Sequence, residues 1–260
     1  MSNIKTIILC GGKGTRMSEL THSIPKPMAT IGGEPILCHI MERYSHYGFK
    51  DFVLPLGYKG GVIKDFFSNY YQQNSSLFVD LESGNLQVLP TAKRKDWKIW
   101  MVDTGEDTEK GSRIKRVEDY IDSELFMVTY GDGVADIDIN KLIEFHKKHG
   151  KLATFCGVKM PSRFGTVETN DYGEVTSWKE KPILPSYVNC GFFVFNRKVL
   201  DYLELDPSCD LEKEPLEKIA SEGQLMMFKH DGFWKCMDTL RDNTELNKMW
   251  SSNVRPWMEF

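Results

Sequence analysis

No apolar run in this chain approaches the roughly 20 residues that a membrane span needs. The apolar stretch near the start is short and passes straight into glycines, which reads as a buried first strand and not as a secretory leader. Paired cysteines are missing too. Cys10, Cys38, Cys156, Cys190, Cys209 and Cys236 are scattered without a C-x-x-C, which excludes the usual zinc spacing and suits reduced thiols in the cytoplasm. Positive charge is not in excess: 33 Lys and Arg against 37 Asp and Glu give a net charge of −4. Nothing therefore attracts nucleic acid at large, and any phosphate has to be held by a few placed groups. Internal repeats and low-complexity tracts are absent. What remains is an ordinary globular composition, 41% hydrophobic and 27% charged, over 260 residues that suit a single domain.

Apolar runs suited to buried strands alternate with segments of helical period, which predicts an α/β fold: a Rossmann-like, mostly parallel sheet flanked by helices. The expected strands are Ile4 to Cys10, Asp51 to Leu56, Ile99 to Val102, Leu125 to Tyr130 and Leu152 to Val158. Helices are expected over Ile36 to Tyr47, Val62 to Tyr71, Arg113 to Ile121 and Ile139 to His149, with Gly48 and Gly150 as stops. Residues 75 to 96 read as a hairpin-like insertion. Beyond Met160 come short strands with turn signals, Gly165 to Glu168, Glu174 to Trp178 and Val188 to Asn196, expected as an antiparallel elaboration over the sheet's edge. Residues 1–150 are thus expected to serve one ligand and residues 151–260 a second.

The first strand runs into Leu9-Cys10-Gly11-Gly12-Lys13-Gly14-Thr15-Arg16. Its glycines let the backbone turn tightly and aim amide N–H groups at an anion, and Arg16 adds a permanent cation. Neither the dinucleotide fingerprint, whose third glycine position here is Met17, nor the P-loop pattern is present. Glycines alone are equally compatible with a structural turn. Pro25-Lys26-Pro27 holds a lysine between two prolines, expected on a stiff extended segment that aims the ammonium at little entropic cost. Asp132, flanked by Gly131 and Gly133 directly after a predicted strand, puts a carboxylate at the sheet's carboxyl edge, a place suited to a metal and also to an Asx-turn. His146 and His149 lack carboxylate or cysteine company and read as a solvated helix face, as does the run Lys93, Arg94, Lys95.

G-G-x-G-T-R followed by P-K-P resembles the signature of the sugar nucleotidyltransferase family. The likeness continues through Val102-Asp103-Thr104-Gly105, Gly111-Ser112-Arg113, Tyr130-Gly131-Asp132-Gly133, Glu180-Lys181-Pro182 and Phe233-Trp234-Lys235-Cys236-Met237-Asp238-Thr239, and in D-T-G, T-Y-G-D-G and the F-W-x-x-M-D-T ending it is similar to the glucose-1-phosphate cytidylyltransferases. The resemblance implies CTP and glucose 1-phosphate as substrates, CDP-glucose as product for deoxysugar or surface polysaccharide synthesis, and a homo-oligomer, a hexamer among the forms open to it. It implies catalytic roles for Arg16, Lys26 and Asp132, and Mg²⁺ on Asp132 and Asp238. Nucleotide contacts are implied for Leu9, Cys10, Gly11, Gly12, Gly14, Thr15, Arg16, Lys26, Thr104, Arg113 and Gly131. Sugar-phosphate contacts are implied for Gly165, Glu180, Lys181 and Asn189. Lys13, Ile24 and Ser112 depart from the family's pattern, which leaves open another nucleotide, another sugar phosphate or a catalytically idle nucleotide-sugar sensor.

Overall fold

The computed structural model describes residues 4–17, 21–89, 95–162 and 164–260; Lys93, Arg94 and the side chain of Arg16 lie outside the described residues. Strand β1 (Thr6–Leu9) leads through the hairpin β2 (Thr30–Ile31) and β3 (Glu34–Pro35) to α1 (Ile36–His46). Then come β4 (Asp51–Leu56), α2 (Gly60–Ser68), α3 (Tyr70–Gln73), the hairpin β5 (Ser76–Asp80) and β6 (Asn85–Leu89), and β7 (Lys98–Asp103). Next are α4 (Lys110–Lys115), β8 (Leu125–Tyr130), β9 (Gly133–Ala135) and α5 (Ile139–His149). The chain continues with β10 (Ala153–Pro161), the hairpin β11 (Thr166–Thr169) and β12 (Val175–Lys179), and β13 (Ile183–Asn196). It finishes with α6 (Glu214–Ser221), β14 (Leu225–His230), β15 (Trp234–Cys236) and α7 (Leu240–Ser251).

Seven strands form the central sheet in the order β14-β10-β13-β8-β1-β4-β7. All neighbours are parallel except that β13 runs against both β8 and β10. Continuous apolar runs form the inner strands because alternate residues feed two cores. Ile8, Phe52, Leu54, Met127, Phe192 and Val194 pack on one face beneath α1 and α5, whereas Ile7, Val53, Phe126, Val128, Phe193 and Phe195 pack on the other beneath α4 and α6. Asp138 caps α5 by accepting from Lys141 N, and Gly150 ends it at φ 65°, as its position in the sequence leads one to expect. No helix among the described residues is long and apolar enough to cross a membrane.

Four expectations need correction. The strand expected over Val188 to Asn196 is not part of an elaboration over the edge: β13 joins the main sheet between β8 and β10, since the Phe192-to-Phe195 run is buried on both faces and only an inner strand satisfies that. β11 and β12 stand apart from it as an antiparallel pair, and β15 pairs antiparallel with β9. The helix expected over Arg113 to Ile121 is two pieces, α4 and a 3-10 turn over Glu118–Tyr120, and Ile114, Val117 and Ile121 keep their three-four spacing across the break. His146 is not solvated: it is buried, with Nδ1 2.9 Å from Thr154 Oγ1, which also lies 2.7 Å from His149 Nε2. Lys26 is not extended either. It opens a 3-10 turn (Lys26–Met28) closed by Met28 N donating to Pro25 O, with extended dihedrals at Pro25 before the turn and Ala29 after it.

Candidate active site

β1 lies between β4 and β8, so the chain winds outward to one side through β4 and β7 and then returns to the other side of its first strand. The crevice at such a switch point, beyond the carboxyl ends of the strands, is where open α/β sheets bind ligands. A cleft of about 360 Å³ opens there. Of the residues expected from sequence it is lined by Leu9, Cys10, Gly11, Gly12, Gly14, Thr15, Lys26, Arg113, Gly131 and Asp132. Thr104, Gly165, Glu180, Lys181, Asn189 and Asp238 do not line it; Pro27 and Tyr130, named from sequence only within motifs, do, and so do Thr108, Glu109 and Lys110, which were not singled out.

The glycines are there for close approach. Gly14 has φ +60°, and a Cβ on Gly131 would stand 2.7 Å from the Leu9 carbonyl oxygen, so the loop after β8 could not lie against the loop after β1. Gly11 and Gly57 sandwich the guanidinium of Arg113, and a Cβ on either would come within 2.5 Å of it. That guanidinium donates to the carbonyls of Gly11, Leu56, Gly105 and Glu106 and to Thr104 Oγ1, at 2.7 to 3.1 Å. Thr104 Oγ1 in turn donates to Leu56 O at 2.7 Å. Arg113 therefore ties together the segments leaving β1, β4 and β7, and Thr104 is buried behind it and not in the cleft.

Lys26, Asp132 and Asp238 meet at one point. Lys26 Nζ lies 2.6 Å from Asp132 Oδ2 and 2.5 Å from Asp238 Oδ1. The two acids are brought together by the antiparallel pairing of β9 with β15, Gly133 opposite Cys236, which continues into Met237 N donating to Asp132 O at 2.8 Å. Burial pulls the Lys26 ammonium down, but the charges of and hydrogen bonds to Asp132 and Asp238 outweigh it and hold the ammonium above its ordinary range. Burial, with the charges of Asp238 and Asp132, pushes the Cys236 thiol up to about 12, and burial together with Asp132 raises Cys10 as well. Both thiols stay protonated, so neither is a nucleophile.

The residues expected to meet a sugar phosphate form two groups. Glu180 and Lys181 are exposed beside the hairpin of β11 and β12, 4.0 Å apart, with Lys181 at φ 46° and Gly165 against the Glu180 carboxylate. Asn189 sits in β13 beside the cleft, its Nδ2 donating to the Tyr130 hydroxyl at 3.2 Å.

A Rossmann-like sheet whose switch point holds a glycine loop, a lysine and two acids is the architecture of a nucleotide-using transferase. The chain belongs to the nucleotidyl transferase family, whose profile matches residues 5–250. It is 46% identical over 256 residues to the glucose-1-phosphate cytidylyltransferase of Salmonella typhimurium, covering 98% of both chains. It is 45% identical over 254 residues to a probable glucose-1-phosphate cytidylyltransferase of Bacillus subtilis, covering 98% of this chain and 99% of that one. Among solved structures, HddC from Yersinia pseudotuberculosis shares the fold at TM-score 0.68 and 22% identity, over 96% of this chain and 100% of that chain.

Proposed function

We propose that the protein transfers CMP from CTP to α-D-glucose 1-phosphate, giving CDP-glucose and pyrophosphate. The observation that carries this reading is the convergence of Lys26, Asp132 and Asp238 at the mouth of the switch-point cleft, in a chain whose full-length relatives bear that activity in their names. An oxygen of the sugar phosphate attacks the α-phosphorus, the new P–O bond forms as the bond to the β-phosphate oxygen breaks, and pyrophosphate leaves. The protein's task is alignment and charge neutralisation, with no covalent intermediate.

The residues present fit Mg²⁺. The two carboxylates already flank one cationic centre, the Lys26 ammonium. No group of three or more metal-binding side chains gathers among the described residues. Magnesium is commonly held by one or two carboxylates, with phosphates and water completing the shell, so Asp132 and Asp238 suffice. When bound there, the ion supplies positive charge to the nucleotide and sugar phosphates. The glycine-loop amides and Arg16 hold the triphosphate, and Lys26 stabilises the charge that grows around the α-phosphorus. Lys181 positions the attacking phosphate, while Glu180 and Asn189 meet sugar hydroxyls. In this reading residues 1–150 mainly hold the nucleotide and residues 151–260 the sugar. A homo-oligomer belongs to it as well, supported by exposed apolar side chains on the β5–β6 and β11–β12 hairpins, among them Phe78, Leu81, Tyr172 and Trp178.

The test is pyrophosphate release by the purified protein over a grid of CTP, UTP, dTTP and GTP against glucose and mannose 1-phosphates. The largest kcat/KM is expected for CTP with glucose 1-phosphate, because a site shaped to the donor and acceptor edge of cytosine leaves its own groups unpaired against uracil. Equal values for all nucleotides would end the cytidine assignment, and no release from any pair would leave a nucleotide-sugar sensor.

A further inference from the structure

Tyr130, the last residue of β8, lines the cleft beside Gly131 and Asp132, and its hydroxyl is committed on two sides. It donates to Glu212 Oε1 and accepts from Asn189 Nδ2 at 3.2 Å. Asn189 Oδ1 then accepts from Gly191 N at 2.9 Å. Gly191 itself has φ +82°, and a Cβ there would stand 2.6 Å from the Tyr130 ring, so this glycine lets ring and strand close on each other. Glu212 is held in turn by Lys110, whose Nζ is 2.8 Å from Glu212 Oε2 and 3.2 Å from Asp210 Oδ1.

The direction of every bond in this chain follows from its first member. The Tyr130 hydroxyl donates its single hydrogen to Glu212 Oε1, whose other oxygen faces the Lys110 ammonium. The phenol oxygen is left as an acceptor, and Asn189 has to face it with its NH₂. A flipped amide would set NH₂ against the Gly191 N–H and oxygen against an oxygen whose hydrogen is already used. Among the described residues the second Nδ2 hydrogen of Asn189 has no protein acceptor.

We infer that Glu212 is a positioning residue for the sugar: acting through Tyr130, it fixes Asn189 so that the amide presents an N–H donor, and not an acceptor, to one hydroxyl of the sugar phosphate. The inference rests on the proposed transferase reading and on Asn189 as a sugar contact. Glu212 does not touch substrate. Lys110 lines the cleft, and because Asp210 also pairs with it, loss of the Glu212 charge leaves it anchored.

The experiment is steady-state kinetics on the full chain with Glu212→Gln, Tyr130→Phe and the double variant. Each single variant is expected to raise KM for glucose 1-phosphate roughly tenfold, the scale of one misdirected hydrogen bond. KM for CTP should stay within about twofold, and the double variant should be no worse than either single one because all three break the same chain. With the 2-, 3-, 4- and 6-deoxyglucose 1-phosphates in turn, one analogue should give wild type and Glu212→Gln the same KM, which identifies the hydroxyl that Asn189 meets. The inference is overturned if Glu212→Gln keeps the wild-type KM for glucose 1-phosphate, if both KM values rise alike, or if the two substitutions are additive. A wild-type protein that releases no pyrophosphate would overturn the transferase reading and this inference with it, a result distinct from all of these.

Discussion

Lys26 Nζ and Asp238 Oδ1, 212 residues apart in the chain, stand 2.5 Å apart, and the same ammonium reaches Asp132 Oδ2 at 2.6 Å. An ammonium between two carboxylates occupies the place proposed for the divalent cation, so the two would compete. Lys26→Met should therefore bind Mn²⁺ several-fold more tightly than wild type in the absence of nucleotide, by calorimetry or by the free-ion signal in electron paramagnetic resonance. Its kcat should nevertheless fall by about 10²–10³, the usual cost of one preorganised charge. Asp132→Asn and Asp238→Asn should weaken both Mn²⁺ binding and turnover, and EDTA should silence the wild type. Unchanged Mn²⁺ affinity in Lys26→Met would rule out the competition.

Arg113 separates a structural role from a ligand role. Its donors are spent on the carbonyls of Gly11, Leu56, Gly105 and Glu106, so Arg113→Met should cost about 2–4 kcal/mol in urea unfolding even without ligand. Arg113→Lys should recover only part of it, because an ammonium cannot fork across segments leaving three strands. Wild-type stability combined with a raised KM for CTP would show instead that Arg113 acts on the nucleotide alone.

The parallel strands were legible because Ile4 to Cys10, Asp51 to Leu56 and Leu125 to Tyr130 are continuous apolar runs closed by glycine or a helical pattern, a signature of strands buried on both faces. Lys26 and Asp132 were legible as proline- and glycine-flanked charges. Asp238 was assigned to their company only by resemblance, since its position depends on the pairing of two three-residue strands, too short for alternation to register. His146 could have been found: it stands seven residues after Ile139 on the stripe continued by Leu142 and Ile143, so the helical period already placed it inside. Lys110 and Glu212 left no such signal, because a partnership across the fold has no period.

Gly131 should be intolerant of even one methyl group. A Cβ there would meet the Leu9 carbonyl oxygen at 2.7 Å and Pro27 Cγ at 3.1 Å, both on stiff segments, so the loop carrying Asp132 has to move. Gly131→Ala is expected to lower kcat at least tenfold and to cost about 1–3 kcal/mol in stability. A variant with wild-type kcat would show that the loop has slack that these contacts do not suggest.

Buried His146 gives the protein an acid sensitivity. Lys151 N donates to His149 Nδ1 at 2.9 Å, so the His149 hydrogen sits on Nε2 and is donated to Thr154 Oγ1; the threonine hydroxyl then donates to His146 Nδ1. Burial, helped by His149, lowers His146 from 6.5 to about 4. Between these values the unfolded chain binds a proton that the folded one refuses, so its contribution is complete above about pH 6.5 and is lost as pH falls towards 4. The total is about 3 kcal/mol, with a slope of up to about 1.4 kcal/mol per pH unit. Urea unfolding at intervals from pH 7.5 to 4.5 should show this slope, and His146→Leu, though less stable at pH 7.5 for want of the Thr154 bond, should show a shallower one. Identical slopes in the two proteins would mean that other groups take up the proton.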